Sequence, residues 1–164
     1  MMKNIILIAV LFSTFLMSCS VEEEANIPNE YSSQNTNVTY TQLDYEIAEL
    51  INSYRISQGL NALNILNEVS REAITHSQYM VNQGALSHDY FYLRSQNIID
   101  AVNAENVSEN VGFGFTNAQS LVNAWLNSEG HRQNIENPDF TDFGISTQQD
   151  EEGKNYFTNI FVKL

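Results

Sequence analysis

The sequence predicts an α+β domain, a three-layer αβα sandwich with helices on both faces of a small antiparallel sheet. Three observations carry that prediction. Between Thr41 and Leu126 apolar residues recur at three- and four-residue steps, the period of a helix. Toward the C-terminus the period falls to two, on either side of the turn Asp150-Glu151-Glu152-Gly153. In the last of these segments Phe157 and Phe161 point one way while Tyr156, Ile160 and Val162 point the other. A strand that is apolar on both faces needs cover on both.

The elements follow in order. Leu43, Ile47, Leu50, Ile51 and Tyr54 share one face of a first helix that begins at Thr41, and Gly59 ends it. A second helix is expected from Asn67, as cap, to Gly84, with Val69, Ala73, His76 and Met80 on one face. Residues 93–102 read as a shorter third helix. Asn117 is placed to cap a fourth, which carries Leu121, Val122, Trp125 and Leu126. Residues 143–149 and 155–162 read as a strand pair whose turn uses Gly153 at positive φ. The remaining strand is expected at 110–115, NVGFGF.

Ahead of the domain, MMKNIILIAVLFSTFLMSCS has the form of a targeting segment. Lys3 supplies the charged start, and the apolar run that follows is too short to span a bilayer comfortably. It ends in Leu16-Met17-Ser18-Cys19, which resembles the lipobox of bacterial lipoproteins. That resemblance implies cleavage before Cys19 and acylation of it, and several acyl chains give a stable membrane anchor. The other reading is an ordinary cleaved signal with a chance cysteine. The expected division is a signal peptide over 1–18, a lipidated cysteine with a flexible acidic tether over 19–40, and a domain over 41–164. Glu22-Glu23-Glu24 resembles the acidic export signals that send some Gram-negative lipoproteins to the cell surface; otherwise it is a solvated linker. The expected location is therefore the outer membrane and, on the first reading of that run, the cell surface.

Cys19 is the single cysteine, so the domain has neither disulfide nor thiolate metal site, and its stability rests on packing. Twenty acidic against seven basic residues give a net charge of −13, which repels nucleic acid and anionic headgroups. The three histidines are not equivalent. His76 lies on an apolar helical stripe and reads as a core residue with a hydrogen-bonded ring. His88 follows the glycine stop of the second helix, and His131, in NSEGHRQNI, is expected in the loop after the fourth; loops on a rigid scaffold carry function. Glu109 stands at the entrance to the proposed 110–115 strand. Two imidazoles and a carboxylate could hold Zn²⁺ or another divalent ion, or act as general acid and base. They could equally satisfy one another in a cleft. No HExxH, GxSxG, CxxC pair or phosphate loop is present to decide.

Asn52…Arg55…Gly59-Leu60…Leu63, His76-Ser77…Met80, Ser87-His88, Glu109-Asn110-Val111, Trp125…Ser128…Gly130-His131-Arg132…Asn134-Ile135, Phe140-Thr141…Gly144-Ile145 and Tyr156-Phe157-Thr158…Phe161 stand in a fixed order. In that order the chain resembles the CAP superfamily (cysteine-rich secretory proteins, antigen 5 and pathogenesis-related proteins) in its disulfide-free bacterial branch. The resemblance implies the same αβα sandwich and a central cleft lined by two histidines and two acids. His88 matches the first histidine, Glu109 the first acid and His131 the second histidine. The second acid normally falls three residues after the tryptophan; here that place is Ser128, and Glu129 is one step on, about 100° around a helix. Asn159 replaces the glutamine usual in relatives. Asn110 is expected to hold the turn beneath Glu109, Trp125 to anchor the core, and Ser128, Arg132 and Asn134 to support His131 from behind.

The leading expectation is an exported, lipid-anchored, monomeric domain that binds a lipid, small molecule, envelope polymer or protein through this cleft, with Zn²⁺ or another divalent metal as candidate cofactor. The alternative is a metal-assisted hydrolase acting on peptide or envelope glycan. A third reading is an interaction module whose cleft is vestigial. Fold analogy does not choose among them.

Overall fold

The computed structural model of the protein describes residues 37–164. The targeting segment, Cys19 and the acidic tether up to residue 36 lie outside the described residues. The described chain runs α1 (Gln42–Ser57), β1 (Asn64–Ile65), α2 (Asn67–Gln83), α3 (Phe91–Val102), β2 (Asn106–Phe113), α4 (Ala118–Asn127), α5 (Glu129–Glu136), β3 (Asp142–Gln149) and β4 (Asn155–Lys163).

α1 starts where expected. Thr41 and Asp44 form a reciprocal capping box, and the Asp44 carboxylate also accepts from the Thr147 hydroxyl at 2.7 Å, so the cap ties α1 to β3. α2 ends at Gly84, whose φ of +64° is left-handed. Its start differs from expectation. Leu66 is the cap and makes no side-chain bond, because Asn67 is already helical and its Oδ1 accepts from the Tyr40 hydroxyl at 2.8 Å. Tyr40, assigned to the tether from sequence, is thus fastened to the domain. α3 begins at Phe91, two residues before the expected start, behind Tyr90 at a φ of +57°. Asn117 caps α4 through the Ser120 amide, as expected.

The four-stranded sheet has the order β1-β3-β4-β2. β2, β4 and β3 are antiparallel, but β1 runs parallel to β3, so the sheet is mixed at one edge rather than wholly antiparallel. A two-residue strand leaves no period to read. Phe157 and Phe161 of β4 join Ile47, Ile51, Leu121, Trp125 and Ile135 beneath α1, α4 and α5. On the other face Ile160 and Val162 pack with Val69, Ala73 and Ile98 of α2 and α3. The three-layer sandwich read from β4 is therefore present. α2 lies so close to β3 that a Cβ on Gly144 would sit 2.4 Å from backbone atoms of Val69 and Ser70.

Two differences bear on the site. β2 begins at Asn106, so Glu109 and Asn110 lie inside the strand and Asn110 holds no turn. The segment after α4 is not a loop but the helix α5, and His131 is on it. Ser128, in extended conformation, breaks the run between the two helices.

Candidate functional site

His88, Glu109 and His131 come together from three segments: the turn between α2 and α3, β2, and α5. Glu109 projects from β2 and is almost wholly buried, with a side chain 2 % exposed. Its Oε1 accepts from His88 Nδ1 at 2.8 Å and from Arg94 Nη2 at 2.7 Å, and its Oε2 accepts from Arg94 Nε at 2.8 Å. Burial alone would raise the pKa of this carboxyl. The His88 bond and the Arg94 guanidinium outweigh that and hold it below the ordinary carboxylate range. Glu109 is therefore a fixed anion. Because an ionised carboxylate only accepts, His88 carries a proton on Nδ1.

Arg94 is not among the candidates read from the sequence. It lies on α3, fully buried, and a two-pronged arginine–carboxylate contact of this kind is the strong form of ion pair. Its third nitrogen, Nη1, donates to the Asp89 carbonyl at 2.6 Å. A signal was available: with Phe91 and Ile98 it follows helical spacing on the buried face of α3, and a cation there requires an anion.

His76 is the core histidine the sequence indicated, and it also borders the site. Its Nε2 bonds the Ser87 carbonyl at 2.9 Å, just before His88, and lies 3.8 Å from Glu109 Oε1. Burial lowers its pKa to about 4, so at neutral pH this contact is not an ion pair.

His131 is half-buried on α5. Its Nδ1 meets the Ser128 hydroxyl at 2.8 Å, and its carbonyl accepts from Asn110 Nδ2 at 3.0 Å. Burial, and then the neighbouring His88, lower its pKa. Asn134 donates to Asn110 Oδ1 at 2.8 Å and to the Glu109 carbonyl at 3.3 Å, so the two asparagines fasten α5 to β2. Arg132 reaches the Leu126 carbonyl at the end of α4. Trp125 is buried and bonds the Val111 carbonyl at 2.8 Å.

Glu129 does not join this cluster. It is exposed and accepts from Gln133, one turn along its own helix, at 3.4 Å. Ser128, where the resemblance would put a second acid, is the one of the two that touches a histidine.

Among the described residues, no three His, Cys, Asp or Glu side chains are grouped as metal ligands would be. Of the residues read as ligands, only the His88 and His131 imidazoles would remain to hold a divalent ion. Glu109 fits as the carboxylate behind His88, not as a ligand, because both its oxygens are engaged. A separate hollow of about 360 Å³, lined by Glu46, Glu49, Leu50 and Ser53 of α1 with Asn117 and Gln119, shares no residue with the cluster.

The chain resembles known proteins in sequence and in fold. The chain is 27% identical over 139 residues to the uncharacterized membrane protein YlbC of Bacillus subtilis, covering 83% of this chain and 39% of the relative. It is 35% identical over 105 residues to the uncharacterized protein YkwD of the same organism, covering 61% of this chain and 40% of the relative. The chain thus spans about two fifths of the length of these relatives. An outer surface protein of Borrelia burgdorferi superposes with a TM-score of 0.67 at 23% identity, over 76% of this chain and 96% of that one. The model of the cysteine-rich secretory protein family matches residues 48–162, which covers every described residue of the histidine cluster, and the chain belongs to that family, CAP.

Proposed function

We propose that this chain is an exported protein whose CAP domain, tethered to a membrane through a lipid on Cys19, binds a ligand between His88 and His131. One observation carries the reading. Each imidazole is anchored through Nδ1, His88 by Glu109 and His131 by Ser128, and neither Nε2 has a partner among the described residues. Two anchored rings with their second nitrogens unengaged are a recognition pair. A divalent ion held there would polarise a ligand oxygen. The residues themselves do the orienting.

The same geometry argues against the hydrolase. A general base works best with a pKa near the working pH, and Glu109 is held well below it by Arg94 and His88. Export is supported by the lipobox-like Leu16-Met17-Ser18-Cys19 and by the fold shared with a surface protein. The charge of −13 favours neutral or cationic partners over nucleic acid. The domain is expected to act as a monomer on a ligand or envelope component.

Calorimetric titration with Zn²⁺ tests the cleft. We expect the chain to bind the ion and His88→Ala and His131→Ala each to lower affinity at least tenfold. Undiminished binding by both variants would sink the reading. Cleavage of labelled casein or envelope glycan, lost in His88→Ala, would restore the hydrolase. Palmitate labelling that disappears in Cys19→Ala tests the anchor.

A further inference from the structure

The geometry points to Arg94 as the positioning residue that dictates how His88 is presented: it fixes Glu109 as an acceptor and pins the turn that carries His88, so that Nε2 is offered as a lone pair. This rests on the cleft reading above and specifies the ligand it takes. With the imidazole neutral, the part that contacts His88 must be a metal cation or a hydrogen-bond donor, and not a carboxylate or phosphate.

All three guanidinium nitrogens are committed. Nε and Nη2 hold the two oxygens of Glu109, and Nη1 holds the Asp89 carbonyl. The turn needs holding. Tyr90 sits at a φ of +57°, a left-handed conformation that a residue with a bulky side chain enters only at a cost. Around it, the Phe91 amide donates to the His88 carbonyl at 3.1 Å, the Tyr79 hydroxyl reaches Asp89 Oδ2 at 3.1 Å, and His76 bonds the Ser87 carbonyl. Arg94 donates to both the turn and the acid, and so makes the distance between them a property of one rigid fork.

His131 differs. The Ser128 hydroxyl on its Nδ1 can donate or accept, so that contact leaves the ring's tautomer open. The pair therefore consists of one ring committed to accepting and one able to adapt. Together they can give a metal two lone pairs, or meet a hydroxyl or amide with one acceptor and one donor. An anion would face the His88 lone pair and the repulsion of a chain with net charge −13.

Only three histidines are present, so nitrogen spectra of the full chain, purified in detergent with ¹⁵N-histidine, can be assigned by substitution. We expect His88 with its proton on Nδ1. In Arg94→Met Glu109 and the turn that carries His88 lose their common clamp, so the Glu109–His88 bond loosens. The His88 nitrogen signals then move away from the fixed Nδ1–H tautomer, and Zn²⁺ affinity falls by roughly 10–100-fold. Arg94→Lys restores the charge and hence the Nδ1 proton, but not the fork, so amides 87–91 exchange faster than in the parent. A purely structural arginine would leave the tautomer unmoved, and an unchanged His88 spectrum in Arg94→Met overturns the proposal. Should that variant not fold, Arg94→Lys carries the test: amides 87–91 that exchange no faster than in the parent, with Zn²⁺ affinity unchanged, overturn the proposal. If the tautomer moves as expected but the parent binds no Zn²⁺, the Arg94 assignment stands and the cleft reading has lost its metal probe result.

Discussion

Ser128 and Glu129 are adjacent, yet only one of them reaches His131. Ser128 stands at the break between α4 and α5, where its hydroxyl would ordinarily cap α5. It bonds the His131 ring instead, at 2.8 Å, and leaves α5 without a side-chain cap. Glu129, one residue on, is exposed with only Gln133 as its partner among the described residues. The position where the resemblance would put a second acid thus carries a shorter, uncharged group that holds the ring. Glu129→Gln should leave Zn²⁺ affinity within about twofold, whereas Ser128→Ala should lower it severalfold by freeing the His131 ring, as loss of a group behind a ligand does. Calorimetry on the two variants decides. A loss confined to Glu129→Gln would return Glu129 to the site. Sequence alone names His88, Glu109, His131 and the ambiguity at Ser128 and Glu129. It does not name Arg94, because membership depends on which anion a buried cation meets, and Glu109 is 15 residues away on another element.

At the scale of elements, legibility follows the strength of the period. α1, α2 and α4 carry apolar stripes several turns long, and their ends are nearly right from sequence. α5 spans eight residues and buries only Ile135, so it offers no stripe, and a histidine between glycine and arginine reads as loop. β1 is shorter still. β2 starts earlier than its sequence suggests because its first half, NVSE, is polar on an edge strand, and only a tertiary contact explains that. Asn110 and Asn134 turn this polar edge into the seat of α5. The close approach of α2 to β3 is invisible in the sequence for the same reason, since Gly144 has no local turn to explain it. Gly144→Ala would place a methyl group 2.4 Å from backbone atoms of Ser70 and Val69, which cannot rotate away. We expect a loss of about 1–3 kcal/mol, the usual range for overpacking, read as a lower urea midpoint at unchanged slope. A neutral result would mean that α2 can lift from the sheet without cost, and would loosen the account of how His76 is held.

For the whole molecule, the buried polar cluster ties stability to pH in one direction. His76 is fully buried and bonded to the Ser87 carbonyl, with Glu109 and Arg94 facing it from β2 and α3 and His88 from the adjoining turn. Burial drops its pKa from 6.5 to about 4 in the folded chain. The unfolded chain therefore binds a proton near pH 6.5 that the folded chain refuses until about pH 4, and folding weakens steadily as pH falls through that window. Fully expressed, the gap corresponds to something on the order of 3 kcal/mol, a large share of a domain's net stability. Glu109 acts in the same sense but lower. Its folded pKa lies below the unfolded value of 4.5, so its contribution is present above that value and is lost only as pH falls through the folded one. Measurements between pH 6.5 and 5 therefore isolate the histidines, His131 adding a smaller effect of the same sign because it is only half-buried. His76→Gln keeps an N–H donor for Ser87 while removing the titration. Urea midpoints of the parent should fall across this window, and those of His76→Gln should fall distinctly less. Parallel slopes would show that His76 does not remain neutral in the folded chain, and that the charge balance around Glu109 is not the one drawn from Arg94 and His88.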